Sequence, residues 1–285
     1  MKKILAAVVG LSLLLVMIVP FTASAQTGAA HFDKPLQRLL NDNSLNWSGY
    51  YVTNSAGYTS AIATWTVPSV STSSSGYSSA WVGIGGVYGT ANLIQTGTDQ
   101  DCTTGTTAAG ELKYHGLDAK PTNNGKGGGG SSGGGGSKCT PTYYAWYEAY
   151  PAPEVKISNF NVSPGNVISA SVQQASGVWS TTITNVSTGQ TFTTTVSNFN
   201  PDQTSAEAIM ERPALCSATC KLTNLADFGT IQFAGASATS TTSSTFDLIA
   251  SDKPITMVDS SFKVLASPGT ISNPGTFTDT WKRSS

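Results

Sequence analysis

Alternation with a period of two residues, repeated in many short segments, is the feature that most restricts how this chain can fold. Residues 58–67 and 204–211 place apolar side chains at every second position, and turns rich in Gly, Pro, Asn and Ser separate such segments. Further strands are expected at residues 79–84 and 92–95, joined by a Gly-rich turn. After Leu40 no segment shows the 3.6-residue period of a helix. About a dozen short strands of this kind predict an all-β chain, folded as one large antiparallel β-sandwich of roughly 200 to 250 residues.

The first 25 residues have the composition of a secretory signal peptide. Two lysines follow Met1, residues 4–21 are almost wholly apolar, and Ala23-Ser24-Ala25 fits a cleavage site between small residues. A membrane anchor is the alternative, but no stop-transfer charges and no second long apolar run follow. The sequence therefore predicts a secreted, extracellular protein. Residues 26–45 would form a short N-terminal arm or pro-segment, and residues 46–285 the folded domain.

The charge balance argues against two classes of partner. Charged residues are only 11% of the chain, the formal net charge is −1, and basic clusters are absent. We therefore expect no nucleic-acid partner and, after signal cleavage, no membrane partner. A monomer is expected. So few carboxylates also suit a protein that works in an acidic medium.

The four cysteines of this chain favour disulfides, because an even number in an exported protein is typical of oxidised pairs. Three pairings are possible, and we expect the one that joins neighbours in sequence: Cys102–Cys139 and Cys216–Cys220. A zinc site is the alternative. It would need histidines or more closely spaced cysteines, and the chain has only His31 and His115. We expect no metal and no other cofactor.

A stretch of Gly and Ser interrupts the strands between Cys102 and Cys139. Residues 125–137 are nearly pure Gly and Ser, and such a segment buries too little apolar surface to offset the entropy lost on ordering. Residues 118–138 are thus predicted to form a flexible surface insertion. The disulfide at its base would contribute about 3–4 kcal/mol in the chain-entropy account. A domain linker is disfavoured because the strands on both sides belong to one sheet system.

The usual nucleophilic machinery is missing from the sequence. A Ser-His-Asp triad needs a histidine in the folded core, yet His31 lies in the N-terminal arm and His115 beside the insertion. No Gly-x-Ser-x-Gly or His-Glu-x-x-His motif occurs. Strand-borne acids with apolar neighbours remain, and desolvation would raise their pKa and fit them for general acid/base chemistry. These acids are Glu148, Glu207 and Glu211, with Asp99 close to Gln95.

Five short motifs, in order, carry a resemblance to a known family. They are Trp81-Val82-Gly83-Ile84, Leu93-Ile94-Gln95-Thr96-Gly97, Ala145-Trp146-Tyr147-Glu148-Ala149-Tyr150-Pro151, Ala206-Glu207-Ala208-Ile209-Met210-Glu211 and Ala226-Asp227-Phe228-Gly229. With Asn46-Trp47-Ser48-Gly49-Tyr50 before them, the chain from Asn46 onward resembles the glutamic peptidases, or eqolisins. Each motif is weak alone, but their order and spacing together are specific.

The resemblance implies a fold and an activity. The fold would be a sandwich of two large antiparallel sheets, similar to the concanavalin A-like lectin and glucanase architecture. The activity would be that of a secreted acid endopeptidase acting on polypeptides. Its catalytic dyad would be Glu207, which activates a water, and Gln95, which stabilises the oxyanion. The residues expected to bind substrate are Trp81, Asp99, Trp146 and Glu148. Asp99 and Glu148 would also help set the pKa of Glu207.

Two other functions remain open at this point. A glycoside hydrolase on the same sandwich could use Glu148 and Glu207 as its two acids, although Gln95 would then have no role. A non-catalytic module could bind a sugar or a peptide on the aromatic strand 143–150. The chain also departs from the family in having Gly85 where an acid often follows Trp-Val-Gly-Ile. This predicts a shifted pH optimum, which Gly85→Asp would test.

Overall fold

The computed structural model describes residues 42–87, 92–105, 111–115, 138–217, 219–242, 245–247 and 253–285. Nineteen strands lie in these residues: β1 (Asn43–Ser44), β2 (Trp47–Thr53), β3 (Tyr58–Thr66), β4 (Ser79–Ile84), β5 (Leu93–Thr103), β6 (Leu112–Tyr114), β7 (Thr140–Tyr150), β8 (Val155–Lys156), β9 (Val167–Ala175), β10 (Val178–Asn185), β11 (Gln190–Val196), β12 (Ser205–Glu211), β13 (Ala214–Cys216), β14 (Cys220–Leu222), β15 (Thr230–Ser240), β16 (Thr245–Asp247), β17 (Lys253–Val258), β18 (Val264–Pro268) and β19 (Phe277–Trp281).

The large strands form two antiparallel layers that are joined at one side. Hydrogen bonds connect them in the order β11-β10-β9-β3-β15-β19-β18-β17-β2-β12-β4-β5-β7-β8. Strand β17 pairs with β18 on one side and with β2 on the other, so it links the two layers. Side chains from both layers form one apolar core, in which Trp65 and Phe233 of the first meet Val82 and Ile94 of the second. The predicted antiparallel β-sandwich is confirmed.

The layer β2-β12-β4-β5-β7 is covered on both of its faces. Strands β4 and β12 are buried at every position. One face packs into the core, and the other carries a second apolar cluster that contains Trp81 and Trp146. Strands β14, β13 and β6 form a separate small sheet. Tyr114 and Ala214 of that sheet belong to the second cluster, so the small sheet packs against this outer face.

The strands agree closely with the sequence pattern. Strand β4 was expected at residues 79–84, as found, and the described residues contain no helix long and apolar enough to cross a membrane. Both disulfides have the expected pairing, Cys102–Cys139 and Cys216–Cys220. The largest difference is β5, which was expected to end at Gln95 and runs on to Thr103. The predicted signal peptide, most of the N-terminal arm and nearly all of the Gly/Ser insertion lie outside the described residues.

Candidate active site

Cross-strand register brings the two predicted catalytic residues into one row. Glu207 on β12 lies opposite Gly83 on β4, and Gly83 lies opposite Gln95 on β5. Gln95 in turn lies opposite Glu148 on β7. Directly opposed residues of an antiparallel sheet project from the same face. Since neighbouring strands are about 4.8 Å apart, the Cα atoms of Gln95 and Glu207 are separated by about 10 Å, with only a glycine between them.

Glu207 is a buried acid without compensation from a nearby cation. It is 2% exposed, and neither carboxylate oxygen has a hydrogen-bond partner among the described residues. Burial raises the pKa of Glu207 well above its usual value; the nearby Ser205 hydroxyl lowers this pKa in part, and the negative charge of Asp202 raises it further. Asp99 and Glu148, which we expected to help set this pKa, are not the groups that do so. A carboxyl of this kind holds its proton tightly and is a strong base once ionised.

Gln95 is held by Glu148. The Gln95 amide donates from Nε2 to Oε2 of Glu148 over 2.8 Å, and both side chains are fully buried. The same Glu148 oxygen accepts the backbone N–H of His115 at 3.1 Å. Burial raises the pKa of Glu148 well above its usual value, although the positive charge of His115 opposes this. Glu148 was expected to bind substrate; in this structure it contacts the amide of Gln95, and its role toward substrate stays a prediction.

Trp81 lies on the same face, one pleat from Gly83. Its indole Nε1 donates to Oε2 of Glu211 at 2.8 Å, and Asn46 donates to the other oxygen of that carboxylate at 2.9 Å. The ring also meets Trp47 edge to face. Trp81 is fully buried, so it forms part of the wall of the site.

Asp99 belongs to a compact ion-pair network. Lys113 Nζ lies 2.5 Å from Asp99 and 2.6 Å from Asp101, and it donates to the hydroxyl oxygen of Tyr144. Burial opposes ionisation of Asp99, but Lys113 and His115 outweigh it and hold the pKa of Asp99 below its usual value. Asp101 differs, since burial dominates there and raises its pKa to about 7.

His115 is a second buried cation at this end of the site. Its ring stacks on Trp146 with 3.9 Å between centroids, and its Nε2 lies 2.8 Å from Glu154. Asp99 and Glu211 each lie 3.6 Å from one of its ring nitrogens. Burial alone would lower the pKa of His115, but these carboxylates raise it well above its usual value. Trp146, predicted to bind substrate, is buried beneath this ring.

Sequence reasoning missed Lys113, His115 and Glu154 as members of this site. Lys113 lies on β6 and His115 directly follows that strand, and their spacing of two residues was the signal that they share a face. Asp99, His115 and Glu154 bring ligand-type atoms within 4.8 Å of one another. The ammonium of Lys113 already neutralises Asp99 there, so the arrangement is an ion-pair network.

A cavity of about 700 Å³ adjoins the network rather than the dyad. Tyr77, Asp101, Lys113 and Glu154 contribute to its lining, and Gln95 and Glu207 do not. The cavity therefore does not mark where the chemistry would take place. The burial of the dyad and its place in the cross-strand row define the candidate site instead.

Gly85 proves to have a backbone reason for being glycine. Its φ is +102°, and a Cβ there would lie 2.5 Å from the carbonyl oxygen of Asn92 and 2.7 Å from that of Asp202. An acid at this position would force the backbone to change. Gly85→Asp is therefore a poor test of the pH optimum, and the predicted shift of that optimum stays untested.

A comparison with known families identifies the family of this chain. A model described as the Peptidase A4 family matches residues 45–115 and 114–280. These spans cover most of the chain, and the chain belongs to this family of glutamic peptidases. The resemblance drawn from the five sequence motifs is thereby confirmed.

Individual relatives and a solved structure support the same placement. The chain is 31% identical over 221 residues to aspergillopepsin-2 of Aspergillus niger, which spans 69% of this chain and 65% of that protein. It is 29% identical over 203 residues to scytalidopepsin B of Scytalidium lignicola, with 68% and 64% covered. The chain thus spans slightly less than two thirds of either relative. The crystal structure of scytalido-glutamic peptidase with a transition state analog inhibitor superposes with a TM-score of 0.63 at 25% identity, covering 83% of this chain and 98% of that one.

Proposed function

We propose that this protein is a secreted endopeptidase that hydrolyses peptide bonds at acid pH with Glu207 and Gln95 as its catalytic dyad. The observation that carries the proposal is the row Glu207–Gly83–Gln95, which sets a proton-accepting group and a hydrogen-bond donor on either side of a residue without a side chain. Family membership and the likeness to peptidases of the same fold support it.

The proposed reaction uses a single carboxyl group twice. Ionised Glu207 takes a proton from a water molecule held above Gly83, and the hydroxide attacks the carbonyl carbon of the peptide bond. Gln95 donates an N–H to the oxyanion, and one such donor is typically worth about 3–4 kcal/mol of transition-state stabilisation. When the tetrahedral intermediate collapses, protonated Glu207 gives its proton to the leaving amine. An amide suits this role because it stays neutral and keeps its donor at any pH.

The burial of Glu207 sets the acid limit of this activity. Its carboxylate must be ionised to act as a base, and burial raises its pKa. The rate constant kcat/KM should therefore fall as the pH drops through this raised pKa. A profile in which kcat/KM still increases well below an ordinary glutamate pKa of about 4.3 would contradict Glu207 as general base.

The glycosidase alternative is disfavoured by the same row. Gly83 and Gln95 separate Glu207 from Glu148, so the two Cα atoms are about 14 Å apart at the usual strand spacing. Glycosidases hold their two carboxyl groups roughly 5–10 Å apart, and here Glu148 is turned onto Gln95. The binding-module alternative required an exposed aromatic strand. Trp146 and Tyr150 of β7 are buried, and Tyr143 and Tyr147 pack against the core.

Digestion of a peptide library at acid pH tests the proposal. Wild type should cleave within the peptides, with new termini identified by mass spectrometry, in the presence of pepstatin as well as without it. Glu207→Gln and Gln95→Ala should lose most of this activity. Glu111→Gln and Gln173→Ala change the same side-chain types outside the row and serve as matched controls. Full activity in both dyad variants would end the assignment, and hydrolysis of a β-glucan instead would favour the glycosidase.

Export and oligomeric state are part of the same proposal. Residues 1–25 would be removed as a signal peptide, residues 26–45 could be removed on maturation, and the secreted enzyme would act as a monomer. Mass spectrometry of the secreted protein, with N-terminal sequencing, gives the site of cleavage. Size-exclusion chromatography with light scattering gives the mass in solution.

A further inference from the structure

We propose that Glu148 is a positioning residue that sets the orientation of the Gln95 amide, accepting from Nε2 when ionised and donating to Oε1 when protonated. The inference rests on the proposed function, and it extends that function from the dyad to a third member of the row. It concerns hydrogen bonds only, so no covalent bond is made or broken at Glu148.

The contact between the two side chains is direct and fully buried. Gln95 Nε2 lies 2.8 Å from Glu148 Oε2, and both residues are 0% exposed. An ionised carboxylate has only acceptors, so it can pair with Gln95 only through the amide N–H groups. In that state the amide nitrogen faces Glu148, which is the side of Gln95 away from Gly83 and Glu207.

Two unsatisfied oxygens mark the second arrangement. Gln95 Oε1 and Glu148 Oε1 are both buried without a hydrogen-bond partner in the described part of the chain. A buried unpaired acceptor costs roughly 1–3 kcal/mol, and a proton on Glu148 would supply the missing donor. Rotation of the Gln95 amide by half a turn about χ3, a torsion with broad and nearly two-fold preference, then brings its oxygen to that proton. The NH₂ group turns to the Gly83 side, where the oxyanion would form.

The groups that face Glu148 favour a proton there in acid. Burial raises its pKa, and Glu211 and Glu154 raise it further, while His115 and its backbone N–H oppose them. Tyr114 and Tyr150 also face this carboxyl. Burial and the charge of Glu148 raise the pKa of both phenols, to about 12 in Tyr150, so they stay neutral across the working range.

The sign of the resulting pH dependence follows directly. Below the raised pKa of Glu148 the carboxyl is protonated, and Gln95 presents its NH₂ group toward Glu207. Above that pKa the carboxylate draws the NH₂ group back to itself, and the oxyanion loses its donor. The alkaline limb of kcat/KM would thus report Glu148, whereas the acid limb reports Glu207.

Glu148→Gln tests this assignment through the pH profile of kcat/KM. A glutamine can donate to Gln95 Oε1 at every pH, so the alkaline limb should move up by about one pH unit or more, while the acid limb stays in place. Asp279→Asn is the matched control, because Asp279 is another fully buried carboxyl with a raised pKa but lies outside this row. It should leave the alkaline limb where it is. An alkaline limb unchanged in Glu148→Gln overturns the proposal.

A measurement that needs no activity keeps this proposal separate from the assignment as a peptidase. In wild type labelled with ¹⁵N-glutamine, the side-chain NH₂ signals of Gln95, identified by their loss in Gln95→Ala, should shift between about pH 4 and about pH 8. The shift should vanish in Glu148→Gln. If the wild type cleaves no peptide but the signals titrate, the peptidase assignment fails and the amide switch stands. Signals that do not move over this range overturn the switch.

Discussion

Glu207 and Glu148 stand at opposite ends of one cross-strand row, and their surroundings differ sharply. Both are buried and both have a raised pKa. Oε2 of Glu148 accepts from Gln95 and from the His115 backbone, whereas Glu207 accepts from none of the described residues. Glu148 is arranged to hold Gln95 in place. The oxygens of Glu207 make no hydrogen bond to the described residues, so they can contact a ligand, as a proton-transferring group must.

The same contrast extends to the other buried acids. Asp99 and Asp101 share the ammonium of Lys113, while neither oxygen of Asp279 in the opposite layer makes a hydrogen bond within the described residues. Ser48, Thr280 and Lys282 offset only part of the rise in pKa that burial causes there. Uncompensated burial lowers the stability of the folded state when the carboxyl is ionised. Glu207 and Asp279 should therefore behave alike in stability measurements and differ completely in activity.

The largest effect is expected from Glu207→Gln, which should separate activity from stability. Loss of the proposed general base should lower kcat/KM by at least about 10³-fold, or about 4 kcal/mol. The free energy of unfolding near neutral pH should rise, because a neutral amide replaces an acid that ionises at a cost. Peptide hydrolysis and urea denaturation of the same preparation measure both. A less stable but active variant would place Glu207 among structural residues.

Lys113→Met should lower the stability of the folded protein, because it removes the cation that compensates two buried carboxylates. Asp99 and Asp101 would be left buried without it, and breaking a buried pair in this way typically costs about 3–5 kcal/mol. The free energy of unfolding at neutral pH, from urea denaturation, gives the value. Lys221→Met, on an exposed position of the same small sheet, is the matched control and should change stability little. Equal effects of the two substitutions would contradict the network.

Asp279→Asn should flatten the dependence of stability on pH. The pKa of Asp279 is raised by burial to about 7 in the folded protein, so its contribution to stability is lost progressively as the pH rises from about 4 to 7. The variant should exceed wild type at about pH 8 by up to about 4 kcal/mol, from 1.36 kcal/mol per pKa unit. Near pH 4 the difference should almost vanish. Parallel stability curves for the two proteins would show that Asp279 is ionised in neither state or in both.

Gly83→Ala is expected to have the smallest effect on stability. It tests whether the row Glu207–Gly83–Gln95 requires a residue without a side chain at position 83. A Cβ there would lie 2.9 Å from Trp81 Cζ3 and 3.0 Å from Leu93 Cδ1, and such overpacking typically costs about 1–3 kcal/mol. The rate of peptide hydrolysis should fall even under conditions in which the variant stays folded, because the added methyl lies between Gln95 and Glu207. Gly105→Ala, which meets nothing within 4 Å, is the control. Unchanged peptide hydrolysis in Gly83→Ala would argue against a substrate position above this residue.

The sequence was sufficient for the fold and the family, it proposed a dyad that stays a prediction, and it described the surroundings of that dyad less well. Period-2 alternation found strands such as β9 and β10 because one face of each lies in the core and the other is more exposed. It failed for β5 beyond Gln95, where Asp99 and Asp101 look like solvent-exposed residues. They are buried because Lys113 neutralises them, and no local pattern shows a charge that arrives from another strand. The stacking of His115 on Trp146 was missed for the same reason, since no local pattern near the insertion shows a contact with another strand.

The positions of the catalytic candidates needed motif resemblance as well as pattern. Gln95 is conspicuous in an apolar run, but Glu207 differs from Glu211 only by its register, and both are buried. Residues an even number of positions apart on a strand share a face. Glu207 and Glu211 are four apart, so periodicity cannot separate them. In the structure the two acids differ in their contacts, because Asn46 and Trp81 donate hydrogen bonds to Glu211. The roles of Trp81, Asp99, Trp146 and Glu148 in binding substrate stay predictions.

The Cys102–Cys139 disulfide closes the far end of the β5–β7 ladder that sets Gln95 opposite Glu148. The two strands are therefore tied together whatever sequence runs between their ends. Length changes between positions 103 and 139 should therefore leave the register of Gln95 and Glu148 in place. Lys113 and His115 come from this segment and contact Asp99 and Glu148, so the disulfide also limits how far these two cations can move from the row.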